Sequence, residues 1–230
     1  MSAHHQPLLD VRDLRIRFGS KEVVHGISFA LHAGEKVALV GESGSGKTIS
    51  ALSLLKLVPQ AQVSGVAHFD VGARGAQGGP RDLLQMSDSE LREVRGRDVA
   101  TIFQEPMTAL NPAMTAGQQI AEGIRLHRAA GRAEARAEAL RLLDRVRIPD
   151  PARRIDSYPH EMSGGQRQRV GIAIALALKP DLLIADEPTT ALDVTVQKEI
   201  LDILDELVAD LGLSLILISH DLGVIARSTD

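Results

Sequence analysis

The sequence has no cysteine and no tryptophan, and only 2% of its 230 residues are aromatic. The absence of cysteine excludes disulfide bonds, thiolate metal sites and a cysteine nucleophile. With so few aromatic side chains, the core must be built from Leu, Ile, Val and Ala, within a hydrophobic content of 44% that is ordinary for a globular protein. The length fits one large domain, or one domain with an inserted subdomain.

Long apolar runs and a strong excess of either charge are also lacking. The longest strongly apolar run, Val170 to Leu178, lies between Arg169 and Lys179, whereas a membrane span needs about 20 residues. The net charge of -4 gives no long-range attraction to nucleic acid. Residues 1–5 lack the charged and apolar regions of a signal peptide, so we expect a cytoplasmic protein.

A glycine-rich motif at residues 41–48 reads Gly-Glu-Ser-Gly-Ser-Gly-Lys-Thr and matches the phosphate-binding P-loop. The preceding segment, Lys36 to Val40, has the pattern of a short buried strand, and Ile49 to Leu57 has apolar residues at helical spacing. This strand–loop–helix context is what a P-loop requires, and a glycine-rich turn without a ligand needs neither element. A dinucleotide-binding fingerprint is excluded, because Ile49 stands where its third glycine belongs.

The residues of this motif have separate expected tasks. Its glycines allow positive φ angles that turn backbone N–H groups toward phosphates. Lys47 can reach the β- and γ-phosphates, and the Thr48 hydroxyl can ligate Mg²⁺. The candidate nucleotide-binding residues of the loop are Gly41, Glu42, Ser43, Gly44, Ser45, Gly46, Lys47 and Thr48.

Two acids end a second apolar segment that starts at Leu182. In P-loop proteins a carboxylate at the end of such a strand holds Mg²⁺. Asp186 is therefore the candidate metal ligand, and Glu187 is the candidate that polarises the attacking water. The alternative is that the two acids have no functional role and only lie at a solvated strand end. The P-loop upstream makes this alternative less favoured.

A second glycine-rich motif, Ser163 to Gln166, fits the start of a helix, with a capping box between its first and last residues. A cap alone does not need two glycines. Glycines at this position permit a phosphate to approach the helix amides closely. Because the motif lies far along the chain from Lys47, it predicts a second phosphate site that faces outward, as a nucleotide shared across a dimer requires.

The rest of the chain divides between strands and helices. The pattern predicts strands at Leu8–Phe18, Val23–Leu31, Ser64–Val71, Val99–Phe103, Leu182–Asp186 and Ser214–Ser219. It predicts helices from Gly117 onward, at Arg132–Arg147, at Gly164–Leu178 and at Val194–Leu211, a short helix capped by Ser87 and Glu90, and a loop at Gly72–Pro80. The alternation in the last third implies a parallel sheet with right-handed crossovers, into which the middle helical block is inserted.

Together these motifs resemble the ATP-binding subunits of ABC transporters, over nearly the whole chain from about Leu8. Residues 41–48 match Walker A, residues 182–187 match Walker B with the catalytic glutamate, and Met162 to Gln166 match the signature motif, with Met where Leu is usual. The further matches are Gln104 in the Q-loop, Asp193 in the D-loop at 191–193, His220 as the switch histidine, and Phe18 as the aromatic that stacks on adenine.

The resemblance implies an α/β fold of the P-loop NTPase (RecA-like) type. We expect a core with a mainly parallel sheet, an N-terminal antiparallel β subdomain and an inserted α-helical subdomain. Residues 8–103 and 160–230 would form the β subdomain and the core, and residues 104–159 the helical insertion. Family members continue with further strands and helices beyond the switch histidine, so the C-terminal part of the family domain is expected to be missing after Asp230.

The resemblance also implies ATP and Mg²⁺ as cofactors. It implies a catalytic set of Glu187 as base, His220 at the γ-phosphate, Lys47 and Gln104. It implies three metal ligands, namely Thr48, Asp186 and, through its side-chain carbonyl, Gln104. The other implied nucleotide contacts are Phe18, Asp193 and, from a second subunit, Ser163, Gly164, Gly165 and Gln166.

Residues 103–112 and 189–195 are similar to the dipeptide and oligopeptide importer branch, which includes forms with two ATPase domains fused in one chain. The implied function is ATP hydrolysis that powers peptide import. The implied partners are transmembrane permease subunits, a second ATPase domain (an identical chain, a paralogue or a fused half) and, indirectly, a solute-binding protein, with no nucleic acid. The implied location is the cytoplasmic face of the inner or plasma membrane, reached through the permease.

Other functions stay open. An ATPase for another solute, such as nickel or a microcin-like peptide, would carry the same motifs, because the binding protein and the permease select the substrate. A non-transport ABC ATPase acting on ribosomes or DNA would carry long arms, coiled coils or basic linkers, and the sequence has none of these. A regulatory module that binds ATP without hydrolysis is disfavoured by Glu187 and His220.

Overall fold

The computed structural model describes residues 6–71, 79–104, 109–190, 192–221 and 223. Its strands are β1 Leu9–Phe18, β2 Lys21–Leu31, β3 Lys36–Val40, β4 Gln62–Asp70, β5 Pro80–Asp82, β6 Val99–Ile102, β7 Leu182–Asp186 and β8 Ser214–Ser219. Its helices are α1 Lys47–Ser53, α2 Asp88–Val94, α3 Ala116–Arg128, α4 Arg132–Arg145, α5 Pro151–Arg154, α6 Gly164–Leu176 and α7 Val194–Leu211, with a short 3₁₀ helix at Pro159–Glu161.

The described strands form two four-stranded sheets. One is antiparallel, in the order β2-β1-β4-β5, and the other has the order β3-β8-β7-β6. Every pair in the second sheet is parallel. Parallel strands end at the same edge of a sheet, so the segments that follow Val40, Ile102, Asp186 and Ser219 meet there. Ligands of open α/β sheets bind at this edge.

The parallel sheet is covered on both faces, which is why β7 and β8 are buried along their whole length. Alternate residues of these two strands divide between two apolar cores. On one face they join the core that contains the long helices, namely Leu183, Ala185, Leu215 and Leu217. On the other face they join the core beneath the antiparallel sheet, namely Leu182, Ile184, Ile216 and Ile218.

The mixed α/β fold agrees with the predicted class, with an antiparallel sheet built from the N-terminal third and a parallel sheet in the core. The predicted bounds of β7, α7 and β8 are those of the structure. The assignment of residues 104–159 to an inserted helical subdomain stays a prediction. In the structure, α3 and α4 pack in the same apolar core as α6.

Several local predictions were wrong. The strand before the P-loop was expected to be buried, but β3 is an edge strand of the parallel sheet and is only half-buried, with Val40 47% exposed. The helix after the P-loop was expected to reach Leu57, but α1 ends at Ser53. A tight turn follows it, in which the Lys56 N–H donates to Ser53 and Lys56 has a φ of 51°.

Three of the described short elements were not predicted, namely β5, α5 and the 3₁₀ helix at Pro159–Glu161. Strand β5 adds to the edge of the antiparallel sheet by pairing with β4, whereas a loop was expected up to its first residue, and residues 72–78 of that loop lie outside the described ranges. Helix α5 begins at Pro151, beyond the predicted helix at Arg132–Arg147. Proline is tolerated at the first helical position, because no N–H is needed there.

Among the residues that the structure describes, no helix combines the length and the apolar character that a membrane span requires.

Candidate active site

The P-loop connects the end of β3 to the start of α1, as its motif predicts. Gly44 and Gly46 have φ angles of 80° and 92°, in the left-handed region that favours glycine. A Cβ on Gly46 would also lie 3.2 Å from the Val23 carbonyl oxygen. The loop therefore needs glycine at Gly46 for its conformation and for its close approach to β2.

Lys47 lies at the first position of α1 and reaches back over the loop. Its Nζ donates hydrogen bonds to the carbonyl oxygens of Gly41 and Glu42, at 2.7 Å each. The ammonium charge is thereby held beside the N-terminus of the helix, where unpaired N–H groups also carry positive partial charge. The arrangement places two sources of positive potential on one side of the loop, which suits an anionic ligand.

Thr48, at the start of α1, and Asp186, at the end of β7, are 138 positions apart in the sequence but in contact in the fold. The Thr48 hydroxyl donates to Asp186 Oδ1 at 2.8 Å. Asp186 is buried, and this burial raises the pKa of its carboxyl above the ordinary value, although the Thr48 hydrogen bond and the Lys47 charge oppose the shift. A cation beside this carboxylate would offset the cost of its desolvation.

These two oxygen ligands fit Mg²⁺. The ion prefers carboxylate and hydroxyl oxygens, and usually takes only one or two protein ligands together with substrate phosphates and water. The described residues contain no group of three or more His, Cys, Asp or Glu side chains that could enclose a metal. A site on Thr48 and Asp186 would therefore hold the ion only together with a phosphate ligand.

Glu187 is held in place by groups from three separate segments. Its Oε1 lies 3.1 Å from Nδ1 of His220. Its Oε2 accepts hydrogen bonds from Gln104 Nε2 at 3.0 Å and from the Thr190 hydroxyl at 2.9 Å. The parallel sheet brings these residues together, since they follow β6, β7 and β8 at its common edge.

The surroundings of Glu187 favour its ionised form. Partial burial acts to raise the pKa of this carboxyl, but hydrogen bonds from His220 and Thr190, with the charges of His220 and Lys47, outweigh that effect and lower the pKa below its ordinary value. An ionised carboxylate next to a phosphate site can accept a proton from water.

A cavity of about 680 Å³ joins the P-loop to Glu187. It is lined by Val40, Gly41, Glu42, Ser43, Gln104, Glu187, Thr190 and His220. A second cavity, of about 660 Å³, lies between β2 and β3 and is also lined by Gly41, Gly46 and Lys47. Both volumes are in the range of small-molecule sites, so the P-loop lies between two spaces that could receive parts of one ligand.

The second glycine-rich motif begins α6, with Ser163 as the N-cap. Both hydrogen bonds of the predicted capping box are present: Ser163 N–H donates to Gln166 Oε1 at 3.0 Å, and Gln166 N–H donates to the Ser163 hydroxyl at 3.3 Å. Residues 163–166 line neither of the two cavities beside the P-loop. Within the described part of one chain, the fold does not bring the two motifs into one site.

Gly165 also has a packing role that the sequence did not predict. A Cβ at this position would lie 2.7 Å from Cγ1 of Val196, on α7. At Gly164 an added Cβ would meet Leu192 Cδ2 at 3.5 Å, an ordinary contact. The close approach of α6 and α7 therefore requires one of the two glycines, whether or not a phosphate binds there.

Phe18 and Asp193 do not line either of these cavities. Phe18 is half-buried and packs against the core of the antiparallel sheet. Asp193 is the N-cap of α7, and its Oδ1 accepts the Val196 N–H at 3.0 Å. Residues 105–108, in the segment similar to the peptide importer branch, and Ala191 of the predicted D-loop lie outside the described ranges.

Thr190 is the residue of this site that the sequence prediction missed. Its hydroxyl contacts Glu187, three positions earlier in the chain. The signal was present in the sequence, because the two acids at the end of β7 are followed by a short turn that contains a hydroxyl side chain.

The fold and this site define a P-loop ATPase. The family model described as "ABC transporter" matches residues 24–190, which is more than half of the chain. The chain belongs to this family, and it is an ATP-binding ATPase domain of the ABC transporter type.

Two relatives are closely similar over almost the whole chain. A Brucella abortus (strain 2308) protein, BAB2_1052, named provisionally as a peptide import ATP-binding protein, is 51% identical over 97% of this chain and 67% of its own length. The peptidoglycan transport ATP-binding protein YejF of Agrobacterium fabrum is 52% identical over 98% of this chain and 41% of its own length. The chain thus spans about two thirds of the first relative and less than half of the second.

A solved structure has the same fold. It is a dimeric post-hydrolysis state of the ATP-binding cassette MJ0796, bound to ADP and Pi. Its TM-score is 0.77 at 26% sequence identity, and the match covers 94% of this chain and 89% of that chain.

Proposed function

We propose that this chain hydrolyses ATP to energise the import of peptides through a membrane permease. The observation that carries the hydrolytic part is the Glu187 carboxylate, which is kept ionised and oriented on the same cavity as the P-loop. The peptide substrate is supported by the name of the Brucella abortus relative, at 51% identity.

In this proposal the P-loop amides and Lys47 bind the phosphates of ATP and stabilise the charge on the transferred phosphoryl group. Thr48, Asp186 and the side-chain carbonyl of Gln104 would hold Mg²⁺. When bound, the ion neutralises charge on the β- and γ-phosphates.

The remaining steps belong to residues at the ends of β7 and β8. Glu187 accepts the proton of the attacking water. His220, whose ring lies 3.1 Å from that carboxylate in the structure, contacts the γ-phosphate. Phe18 would stack on the adenine ring of ATP. Stacking between aromatic pairs contributes about 0.5–1.5 kcal/mol.

A second ATPase domain would complete the site. Residues 163–166 and Asp193 would close over ATP held on the P-loop of the partner domain. This proposal is supported by the separation of the two motifs in one chain and by the dimeric form of the MJ0796 relative. The partner could be an identical chain, a paralogue or a fused half.

In this proposal the ATPase lies at the cytoplasmic face of the membrane, bound to permease subunits. A solute-binding protein would deliver the peptide to the permease. Closing and opening of the two ATPase domains around ATP would then drive the permease between its conformations.

Uptake by cells that depend on this chain tests the transported solute. Cells carrying the wild-type chain should accumulate a labelled short peptide, and cells carrying Glu187→Gln should not, since hydrolysis is blocked while the protein still folds. Labelled nickel is the comparison solute. Peptide uptake that is equal in both strains, or a loss of nickel uptake alone, would contradict peptide import.

A further inference from the structure

We propose that Thr190 is a positioning residue that holds the Glu187 carboxylate in its working orientation throughout the catalytic cycle. This inference deepens the proposed function and rests on its assignment of Glu187 as the base. The Thr190 hydroxyl donates to Glu187 Oε2 at 2.9 Å.

Backbone hydrogen bonds fix the conformation of the chain at Glu187. Its φ of 42° is unusual for a residue with a side chain, and its N–H donates to the Ile218 carbonyl oxygen at 2.9 Å. The Thr190 N–H donates in turn to the Glu187 carbonyl oxygen at 3.1 Å. Residues 187–190 therefore form a closed turn, and this turn sets the Thr190 hydroxyl opposite the carboxylate.

Gln104 and His220, the other two partners of the carboxylate, are less suited to keep a hydrogen bond to it throughout the cycle. Gln104 and His220 are exposed side chains, and they come from segments 83 and 33 positions away in the sequence. Each also has a second proposed task, at the metal and at the γ-phosphate. Thr190 is half-buried and belongs to the same turn as Glu187, so its hydrogen bond can persist while Gln104 and His220 turn toward the nucleotide.

A hydroxyl is the group that suits the orientation of the Glu187 carboxylate. It donates one hydrogen bond to Oε2 and leaves the other carboxylate oxygen, Oε1, available to water or to His220. A carboxylate with one fixed oxygen has a restricted χ3, and orientation of a catalytic group has a large effect on rate. Valine at this position keeps the shape of threonine but removes the donor.

The test compares Thr190→Val with Thr190→Ser in steady-state ATP hydrolysis. We expect Thr190→Val to lower kcat about ten- to a hundredfold, because a misplacement of about 1 Å at a reacting centre can cost about a hundredfold in rate, with KM for ATP unchanged. Thr190→Ser retains the hydroxyl and should restore most of kcat. A wild-type kcat for Thr190→Val, or no recovery in Thr190→Ser, would overturn the proposal.

A double variant distinguishes this proposal from the assignment of the base. In the Glu187→Gln background, Thr190→Val should have no further effect on the residual rate, because both changes act through one group. A further loss would place Thr190 in another role. If Glu187→Gln itself hydrolyses ATP at the wild-type rate, the assignment of the base fails instead.

A crystal structure of Thr190→Val gives a readout that does not depend on activity. We expect Glu187 Oε2 to leave its present position or to occupy more than one orientation, while the turn at residues 187–190 is unchanged. In Thr190→Ser the carboxylate should stay where it is in the wild type. An unmoved carboxylate in Thr190→Val would overturn the positioning role.

Discussion

Asp186 and Glu187 are neighbours in the chain, yet the fold shifts the pKa values of their carboxyl groups in opposite directions. Burial dominates at Asp186 and raises its pKa. At Glu187 hydrogen bonds and nearby charges outweigh burial and lower it. The sequence predicts a strand end with two acids, but it does not reveal which partners each acid meets. Apart from Thr190, those partners come from α1 and from the segments that follow β6 and β8, and only the sheet topology brings them together.

Glu90 gives a residue-scale test of the structure away from the site. Its carboxylate accepts hydrogen bonds from the backbone N–H and the hydroxyl of Ser87, at 2.8 Å each, and pairs with Arg81. The Ser87 backbone, the Ser87 hydroxyl and Arg81 together lower the pKa of Glu90 to about 2. Because the pKa is lower in the folded protein, ionised Glu90 stabilises the fold above its unfolded pKa of about 4.3, and this contribution is lost as the pH falls toward 2.

Carbon-detected NMR titration of the Glu90 side chain checks this prediction. Ser87→Ala should move the Glu90 pKa upward, toward its ordinary value. Ser89→Ala is the matched control, because the Ser89 hydroxyl contacts the Ser87 hydroxyl rather than Glu90. A wild-type Glu90 that titrates near pH 4 would contradict the capping geometry.

Among the elements, those with a strong pattern were predicted best. Strand β7 is a continuous apolar run between polar residues, and α7 repeats its apolar residues at helical spacing with an N-cap at Asp193, so both sets of bounds were predicted correctly. The burial of β3 was predicted wrongly, because an apolar pattern of this kind occurs both in edge strands and in central strands. Strand order depends on long-range pairing, and a local pattern carries no information about it.

The start of α6 gives an element-scale prediction. Gly165→Ala should destabilise the protein by about 1–3 kcal/mol, as overpacking does, because the new Cβ would lie 2.7 Å from Val196 Cγ1. Adding Val196→Ala should recover most of the loss. The free energy of unfolding in urea measures both effects.

Gly164→Ala is the matched control for this pair. Its Cβ would meet Leu192 at an ordinary contact distance, and alanine is the better helix former by up to about 1 kcal/mol. We therefore expect no loss of stability at this position. Equal destabilisation by Gly164→Ala and Gly165→Ala would contradict the packing of α6 on α7.

At the scale of the whole molecule, the structure keeps the two glycine-rich motifs apart. The P-loop lines the cavity at Glu187, whereas residues 163–166, at the start of α6, do not. Neither the sequence spacing nor the fold of one chain joins them. The separation was predictable from the sequence, whereas the identity of the partner that would complete the site was not.

The mass of the Glu187→Gln chain in solution, measured by light scattering, tests whether the partner is a second copy of the same chain. The chain has a mass of 24.7 kDa. We expect about twice that mass in the presence of Mg²⁺ and ATP, and a single chain in their absence, because slow hydrolysis lets the closed dimer accumulate. Lys47→Ala, which would lack the proposed contact to the phosphates, should stay monomeric. A mass of one chain at saturating ATP would show that an identical copy is not the partner.

The most direct test of the account is ATP hydrolysis by the Glu187→Gln chain, measured in a single turnover beside the wild type at equal occupancy by ATP. Glutamine keeps the size of the side chain but cannot accept the proton of water. We predict that ATP binding is retained and that the rate of hydrolysis falls by roughly 10²–10⁴-fold, the usual contribution of a general base. Glu206→Gln, at an exposed glutamate on α7, should hydrolyse ATP like the wild type. Hydrolysis by Glu187→Gln at the wild-type rate would contradict the account.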